Sequence, residues 1–236
     1  MAAGGNSIDI FYARLDDPRL QALGDLCNDD EHARASRFRF PRDARRYRVG
    51  RGALRVILGR ATDTDPERVR LLAGANQRPG LADLPRSRLD FNVSHSEEIL
   101  LIGLSHGMQL GVDVEILRKV EMAHALAREH YSAYEALQLR EAATQERDRV
   151  FLGVWVRKEA CVKASGVGIT ADLRSFTVGC GPQSLQVEVP IERGSNAVVA
   201  MHVQSIALPG PCLAACASLG AESPRELRVT EFAGAC

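Results

Sequence analysis

The sequence predicts an α+β fold in which each half carries strands and one long helix. Three observations predict it. Tyr47, Leu54 and Leu58 recur at helical spacing after Pro41, and Phe151, Val154, Trp155 and Val162 do so more strongly between Arg149 and Ser165. From Phe176 onward the pattern is all strand. At 236 residues the chain can bury a real core as one large domain or two small ones. A hydrophobic share of 45% with 25% charged residues excludes a disordered chain.

In order, Ile8 to Tyr12 reads as a strand, Asp17 to Cys27 as a short helix, and Pro41 to Arg60 as the first long helix. Gly50 and Gly52 weaken that helix locally but let another segment approach it closely. Thr62 to Pro66 is a turn, Val69 to Ala73 a short strand, and Gly74 to Gly80 a loop. Leu89 to Val93 alternates as a strand should, and Ser94-His95-Ser96 is expected to interrupt it. Ile99 to Leu104 and Leu110 to Ile116 flank His106-Gly107 and read as a hairpin. Residues 120 to 143 are helical by composition, and Gly166 is placed to end the helix from Arg149. Four strands follow, at Leu185 to Val189, Val198 to Ile206, Cys212 to Ser218 and Leu227 to Phe232. The expected division is 1–110 and 111–236.

The formal net charge is zero, so no long-range field favours nucleic acid. Met1 to Ile10 lacks a basic region with an apolar core behind it, and no stretch is long and apolar enough to span a bilayer, which predicts a soluble, cytoplasmic protein with no membrane contact. The six cysteines include no CxxC spacing and read as inert thiols rather than disulfides or zinc ligands. Basic residues are lopsided, with 27 arginines against Lys119, Lys158 and Lys163. Two of those lysines flank Glu159, where a compact, hydrated ammonium is expected.

Two acidic constellations carry the chemistry. In Gly111-Val112-Asp113-Val114-Glu115 strand alternation puts Asp113 and Glu115 on one face. In Trp155-Val156-Arg157-Lys158-Glu159-Ala160-Cys161-Val162-Lys163 a helix puts Glu159 and Lys163 one turn apart. Three carboxylates and one amine suit a hard divalent cation that also holds phosphate oxygens. The plainer readings are a solvated strand face and an exposed helical ion pair. Trp155, on the same helical face, argues against simple solvation and reads as core rather than as a stacking platform. Asn92-Val93-Ser94-His95-Ser96 follows a strand and offers hydroxyl, imidazole and amides to an anion, or else a histidine that caps a loop. No triad is evident, because adjacent side chains diverge. Ten arginines between Arg34 and Arg60, against the single acid Asp43, suit a small polyphosphate or an exposed face. Arg42, Arg46 and Arg78 stand beside the predicted loop ends.

These residues resemble the 4′-phosphopantetheinyl transferases of the surfactin-synthetase-activating type. The resemblance rests on Phe91 to Ser96, Gly111 to Glu115 and Trp155 to Lys163 with Gly166 after it. Gln77-Arg78-Pro79 and Arg46 to Arg55 look like earlier motifs, so it covers roughly 34 to 180. It implies two similar α/β subdomains related by a pseudo-twofold, with coenzyme A in the cleft between them, in a monomeric chain. The implied reaction moves the phosphopantetheine arm of coenzyme A to a serine of an apo acyl, peptidyl or aryl carrier protein, releasing adenosine 3′,5′-bisphosphate.

By the same resemblance, Asp113, Glu115 and Glu159 hold Mg²⁺ on the diphosphate, and Glu159 or a water beside it takes the serine proton. Lys163 neutralises charge on the leaving side. Ser94 and His95 match contacts to the coenzyme A phosphates, and Arg46 and Arg78 match basic positions near its 3′-phosphate. The family often has Lys in place of Arg78. Arg34 and Arg37 are left unassigned. The alternatives are a metal-dependent phosphodiesterase or pyrophosphatase using the same carboxylates, and a non-catalytic protein that binds coenzyme A or a carrier.

Overall fold

The computed structural model describes residues 7–73, 78–82, 89–166, 172–190, 197–220 and 223–234. Gln77 and Cys236 lie outside them. A four-stranded sheet has the order β10-β1-β5-β4, formed by β1 (Ser7–Arg14), β4 (Asp90–Ser96), β5 (Ile99–Ser105) and β10 (Glu226–Glu231). A second has the order β6-β9-β8-β7, formed by β6 (Leu110–Ile116), β7 (Leu185–Pro190), β8 (Val198–Ile206) and β9 (Cys212–Leu219). β2 (Leu71–Ala73) and β3 (Pro79–Leu81) form a separate ribbon.

The two halves repeat one pattern. In the first, β1 pairs antiparallel with β5 and β5 with β4, with helix α2 (Pro41–Thr62) inserted between β1 and β4. In the second, β6 pairs antiparallel with β9 and β9 with β8, with helix α5 (Arg147–Ser165) inserted between β6 and β8. The shorter helices are α1 (Asp29–Ala35), α3 (Ala123–His130) and α4 (Ala133–Glu141). The expected division falls at the first residue of β6, and β10 returns from the chain end to run parallel to β1.

Strand alternation sorts the core into three layers. Leu100, Ile102 and Leu104 pack with Ala53, Leu54 and Ile57 of α2. Met201, Val203, Ala215 and Ala217 pack with Val154, Val156 and Cys161 of α5. Between the sheets, Ile8, Ile10 and Leu101 meet Val112, Val114 and Cys216. The close approach expected at α2 is made by the 3₁₀ segment Pro18–Leu26: a Cβ on Gly52 would strike the Leu23 backbone.

Two expectations are corrected. β5 and β6 form no hairpin, because both edges of β5 are filled by β1 and β4, and β6 pairs with β9 instead. Ser94-His95-Ser96 does not interrupt β4: all three continue the ladder, opposite Leu101, Leu100 and Ile99. Residues 120 to 143 hold two helices, α3 and α4, separated by the Ser132–Glu135 capping box that opens α4. The helix α1, opened by a capping box of Asn28 and Glu31, was not expected. The five described cysteines are free thiols. Burial pushes Cys161 and Cys216 up to about 12, which keeps them protonated and inert. Among the described residues no helix is long and apolar enough to cross a membrane.

Candidate active site

The free edge of β6 lies against β4, and the side chains of β4 complete its hydrogen bonding. Asp90 Oδ2 accepts from Leu110 N at 2.9 Å, Asn92 Oδ1 from Val112 N at 2.9 Å, and Ser96 Oγ from Ile116 N at 3.2 Å. Asp90, Asn92 and Ser96 therefore stand in for a missing strand partner, while Ser94 between them turns its hydroxyl to Asp113. Asp90 and Asn92 are buried although polar, because this face of β4 is covered by β6.

Farther along the same seam stand the catalytic candidates. Asp113 and Glu115 leave β6 on one face, together with Gly111, and that face is covered by α5. A Cβ on Gly111 would collide with the carbonyl of Ala160 and the amide of Ala164, so glycine permits this strand and helix to touch. α5 thereby brings Glu159 and Lys163 over the acids. Lys163 Nζ donates to Asp113 Oδ1 at 2.7 Å, to Ser94 Oγ at 3.1 Å and to the Val112 carbonyl at 3.2 Å. Ser94 Oγ donates to the same Asp113 oxygen at 2.7 Å. Glu115 accepts from Ser96 Oγ at 2.9 Å and pairs with Arg118 at 3.5 Å.

Asp113 is 6% exposed, so the solvated-face reading of this strand does not hold for it. Glu159 is half-buried, and its carboxyl is pushed above the usual glutamate range by burial and then by the charge of Asp113; Lys163 opposes this and Glu115 adds to it. Carboxylates are thus close enough to repel one another, with a single ammonium against them. Among the described residues, no three His, Cys, Asp or Glu side chains form a ready-made metal cage.

Alternation separates Ser94 from His95. The Ser94 hydroxyl faces β6, whereas His95 is exposed; both residues border a cleft of about 160 Å³ lined also by Arg46, Tyr47, Gly50 and Arg51 of α2. In that cleft Arg46 pairs with Asp16 at 2.5 Å, Glu97 at 3.1 Å and Glu98 at 3.7 Å. Its hydrogen bonds to Asp16 raise it above the ordinary arginine value, and burial opposes them. Arg78 lies at the opposite end of the seam from Ser96, beside Asp90 and Leu110.

The expectation for Lys158 is corrected. Its ammonium is dehydrated, 0% exposed, and bonded to Glu135 at 2.9 Å and to the carbonyls of Leu173 and Phe176 at 2.8 and 2.6 Å. Burial lowers its proton affinity and Glu135 restores part of it. In α5, Arg157 and Lys158 face the protein interior while Glu159 faces the site, since neighbouring helical positions diverge by about 100°. Sequence reasoning also missed Asp90, and read Asn92 and Ser96 only as part of an anion-holding segment and not as partners of β6. Their period-2 spacing was visible, but nothing in it marked β6 as the strand that covers them.

Comparison with known proteins identifies the family. Residues 109–199 match the family model described as the 4′-phosphopantetheinyl transferase superfamily, and residues 16–105 match the one described as 4′-phosphopantetheinyl transferase, N-terminal. Over 180 residues the chain is 34% identical to the 4′-phosphopantetheinyl transferase HetI of Nostoc sp. strain PCC 7120, covering 75% of this chain and 76% of that protein. It is 26% identical over 214 residues to ffp of Bacillus subtilis, covering 89% and 92%, and 24% identical over 190 residues to Sfp of Bacillus subtilis strain 168, covering 80% and 81%. Those relatives carry the name of a transferase, and nothing favours the hydrolytic alternative. The chain belongs to the 4′-phosphopantetheinyl transferase superfamily.

Proposed function

We propose that Asp113, Glu115, Glu159 and Lys163 perform in this chain the reaction of its family, transfer of the 4′-phosphopantetheine arm of coenzyme A to a serine hydroxyl of a carrier protein. The observation that carries it is the seam itself, where β6 and α5 gather three acids and one ammonium next to Ser94. Asp113, Glu115 and Glu159 would hold Mg²⁺, an ion that takes one or two carboxylates and fills the rest of its shell with waters and substrate phosphate oxygens, so the acids need not form a cage in its absence. When bound there, the ion would neutralise charge on the diphosphate.

The chain's own residues supply the rest. Glu159, or a water beside it, accepts the proton of the carrier serine as its oxygen attacks the phosphorus bearing the pantetheine arm. The bond from that phosphorus to the oxygen shared with the adenosine bisphosphate breaks, and Lys163 stabilises the charge that develops on the leaving phosphate. Ser94 steadies Asp113 and Lys163. Arg46 and His95 line the cleft proposed to hold the nucleotide end of coenzyme A, where phosphate would displace Asp16, Glu97 and Glu98 from Arg46. Residues 1–110 then supply the phosphate-binding unit and 111–236 the carboxylates.

The carrier is an acyl, peptidyl or aryl carrier protein, and the enzyme works in the cytoplasm as a monomer whose two halves stand in for two subunits. Mass spectrometry of an apo carrier incubated with coenzyme A, Mg²⁺ and the protein tests this. The carrier gains one phosphopantetheine group; cleavage of coenzyme A with an unmodified carrier would refute transfer.

A further inference from the structure

Arg78 makes contacts that a ligand of substrate phosphate has no need of. Its Nη2 reaches Asp90 Oδ2 at 2.5 Å and donates to the carbonyls of Leu110 at 2.7 Å and Phe91 at 3.2 Å. Its Nη1 donates to the carbonyl of Lys163. Asp90 Oδ2 in turn accepts from the amide of Leu110. One guanidinium therefore joins β4, β6 and the last turn of α5. Its side chain is 9% exposed and that of Asp90 1%.

The contact at Lys163 matters most. That carbonyl belongs to the final turn of α5, where the last four carbonyls lack partners within the helix. Gly166 N and Ser165 Oγ serve Val162, and Arg78 serves Lys163 with a positive charge at the negative end of the helix dipole. Lys163 is thus fixed at both ends, its carbonyl by Arg78 and its ammonium by Asp113. A planar fork of five donors can hold all four of these acceptors at once, whereas an ammonium has only three donors.

We propose that Arg78, paired with Asp90, is a positioning residue that locks the end of α5 onto the β4–β6 seam and so sets where Lys163 and Glu159 stand. It does so in place of binding a phosphate of coenzyme A. The inference rests on the reading that Lys163 and Glu159 serve the transfer reaction.

Arg78→Lys separates the two roles, because phosphate accepts either group whereas the four-way clamp does not. With coenzyme A and an apo carrier, Arg78→Lys and Asp90→Asn each lower kcat at least about tenfold and leave KM for coenzyme A within about twofold. The double variant is no worse than the weaker single one, as expected for two residues acting as a unit. The ratio of kcat/KM for coenzyme A over dephospho-coenzyme A, which lacks the 3′-phosphate, stays at the wild-type value in Arg78→Ala. Wild-type kcat in Arg78→Lys, or collapse of that ratio in Arg78→Ala, would overturn the proposal. If the Arg78 variants do not melt cooperatively, Asp90→Asn decides alone: lost kcat with intact coenzyme A binding supports the clamp, and wild-type kcat overturns it. Absence of transfer by the wild-type protein would instead sink the functional reading itself.

Discussion

Lys163 and Asp113 close the seam between α5 and β6, with Nζ 2.7 Å from Oδ1, and the hydroxyl of Ser94 completes a triangle with both. The lysine remains 27% exposed and the aspartate 9% by side chain, so the pair opens toward solvent on the lysine side. That exposure suits the proposed role, in which the ammonium exchanges a carboxylate for a phosphate oxygen. Lys163→Ala is expected to slow holo-carrier formation by at least about a hundredfold. It should cost only roughly 1–2 kcal/mol of stability, because a partly solvated ion pair contributes little. Kinetics and melting on one preparation check both.

Gly111 sets the distance between β6 and α5. Gly111→Ala forces Ala160 and Ala164 away from the strand and moves Glu159 and Lys163 off Asp113. Expected is a loss of about 1–3 kcal/mol from overpacking, with activity per folded molecule falling at least tenfold as the groups lose alignment. Full activity in a folded Gly111→Ala protein would show that the contact is not needed.

Glu31 links α1 to α2 through a buried network with Arg51 at 2.6 Å and Arg55 at 3.0 Å. Burial raises its carboxyl, but Arg51, the amide of Asn28 and Arg55 together bring it below the ordinary 4.5. A carboxyl depressed in the folded state stabilises fully above its unfolded value, and that stability is lost as pH falls through the folded value. Stability should therefore drop below about pH 4.5 in the wild type. Glu31→Gln should be less stable by about 3–5 kcal/mol at neutral pH, with a flatter acid limb. Urea unfolding between about pH 3 and 7 measures both.

Trp155 stacks on Phe151 at 6.2 Å between ring centroids and meets His130 edge-on at 5.9 Å, packed against the core beneath α5. Trp155→Ala should lower stability by about 2–3 kcal/mol, less than a fully buried tryptophan would cost. Transfer per folded molecule should persist. Unchanged melting with lost coenzyme A binding would place the indole in the substrate site.

The acidic face of β6 and the Glu159–Lys163 pair were legible because strand and helix periods fix which side chains share a face. The two long helices were legible for the same reason, and so was the end of α5 at Gly166. The β5–β6 pairing was misread because local spacing cannot show that β1 and β4 already occupy both edges of β5. Lys158 was misread because composition cannot reveal that Glu135, some twenty residues earlier, is buried beside it. The contacts of Arg78 were hidden for the same reason, since Asp90, Leu110 and Lys163 lie on elements whose packing local spacing does not show.

The central claim is that the acids of β6 and α5 act together in the transfer. The most direct test is the rate of holo-carrier formation by Asp113→Ala, Glu115→Ala and Glu159→Ala with coenzyme A and saturating Mg²⁺, beside far-UV dichroism and melting of each variant. Cooperative folding with Asp113→Ala and Glu159→Ala at least about a hundredfold slower, and Glu115→Ala impaired, is the predicted result. Wild-type turnover by a folded Asp113→Ala or Glu159→Ala protein would contradict it.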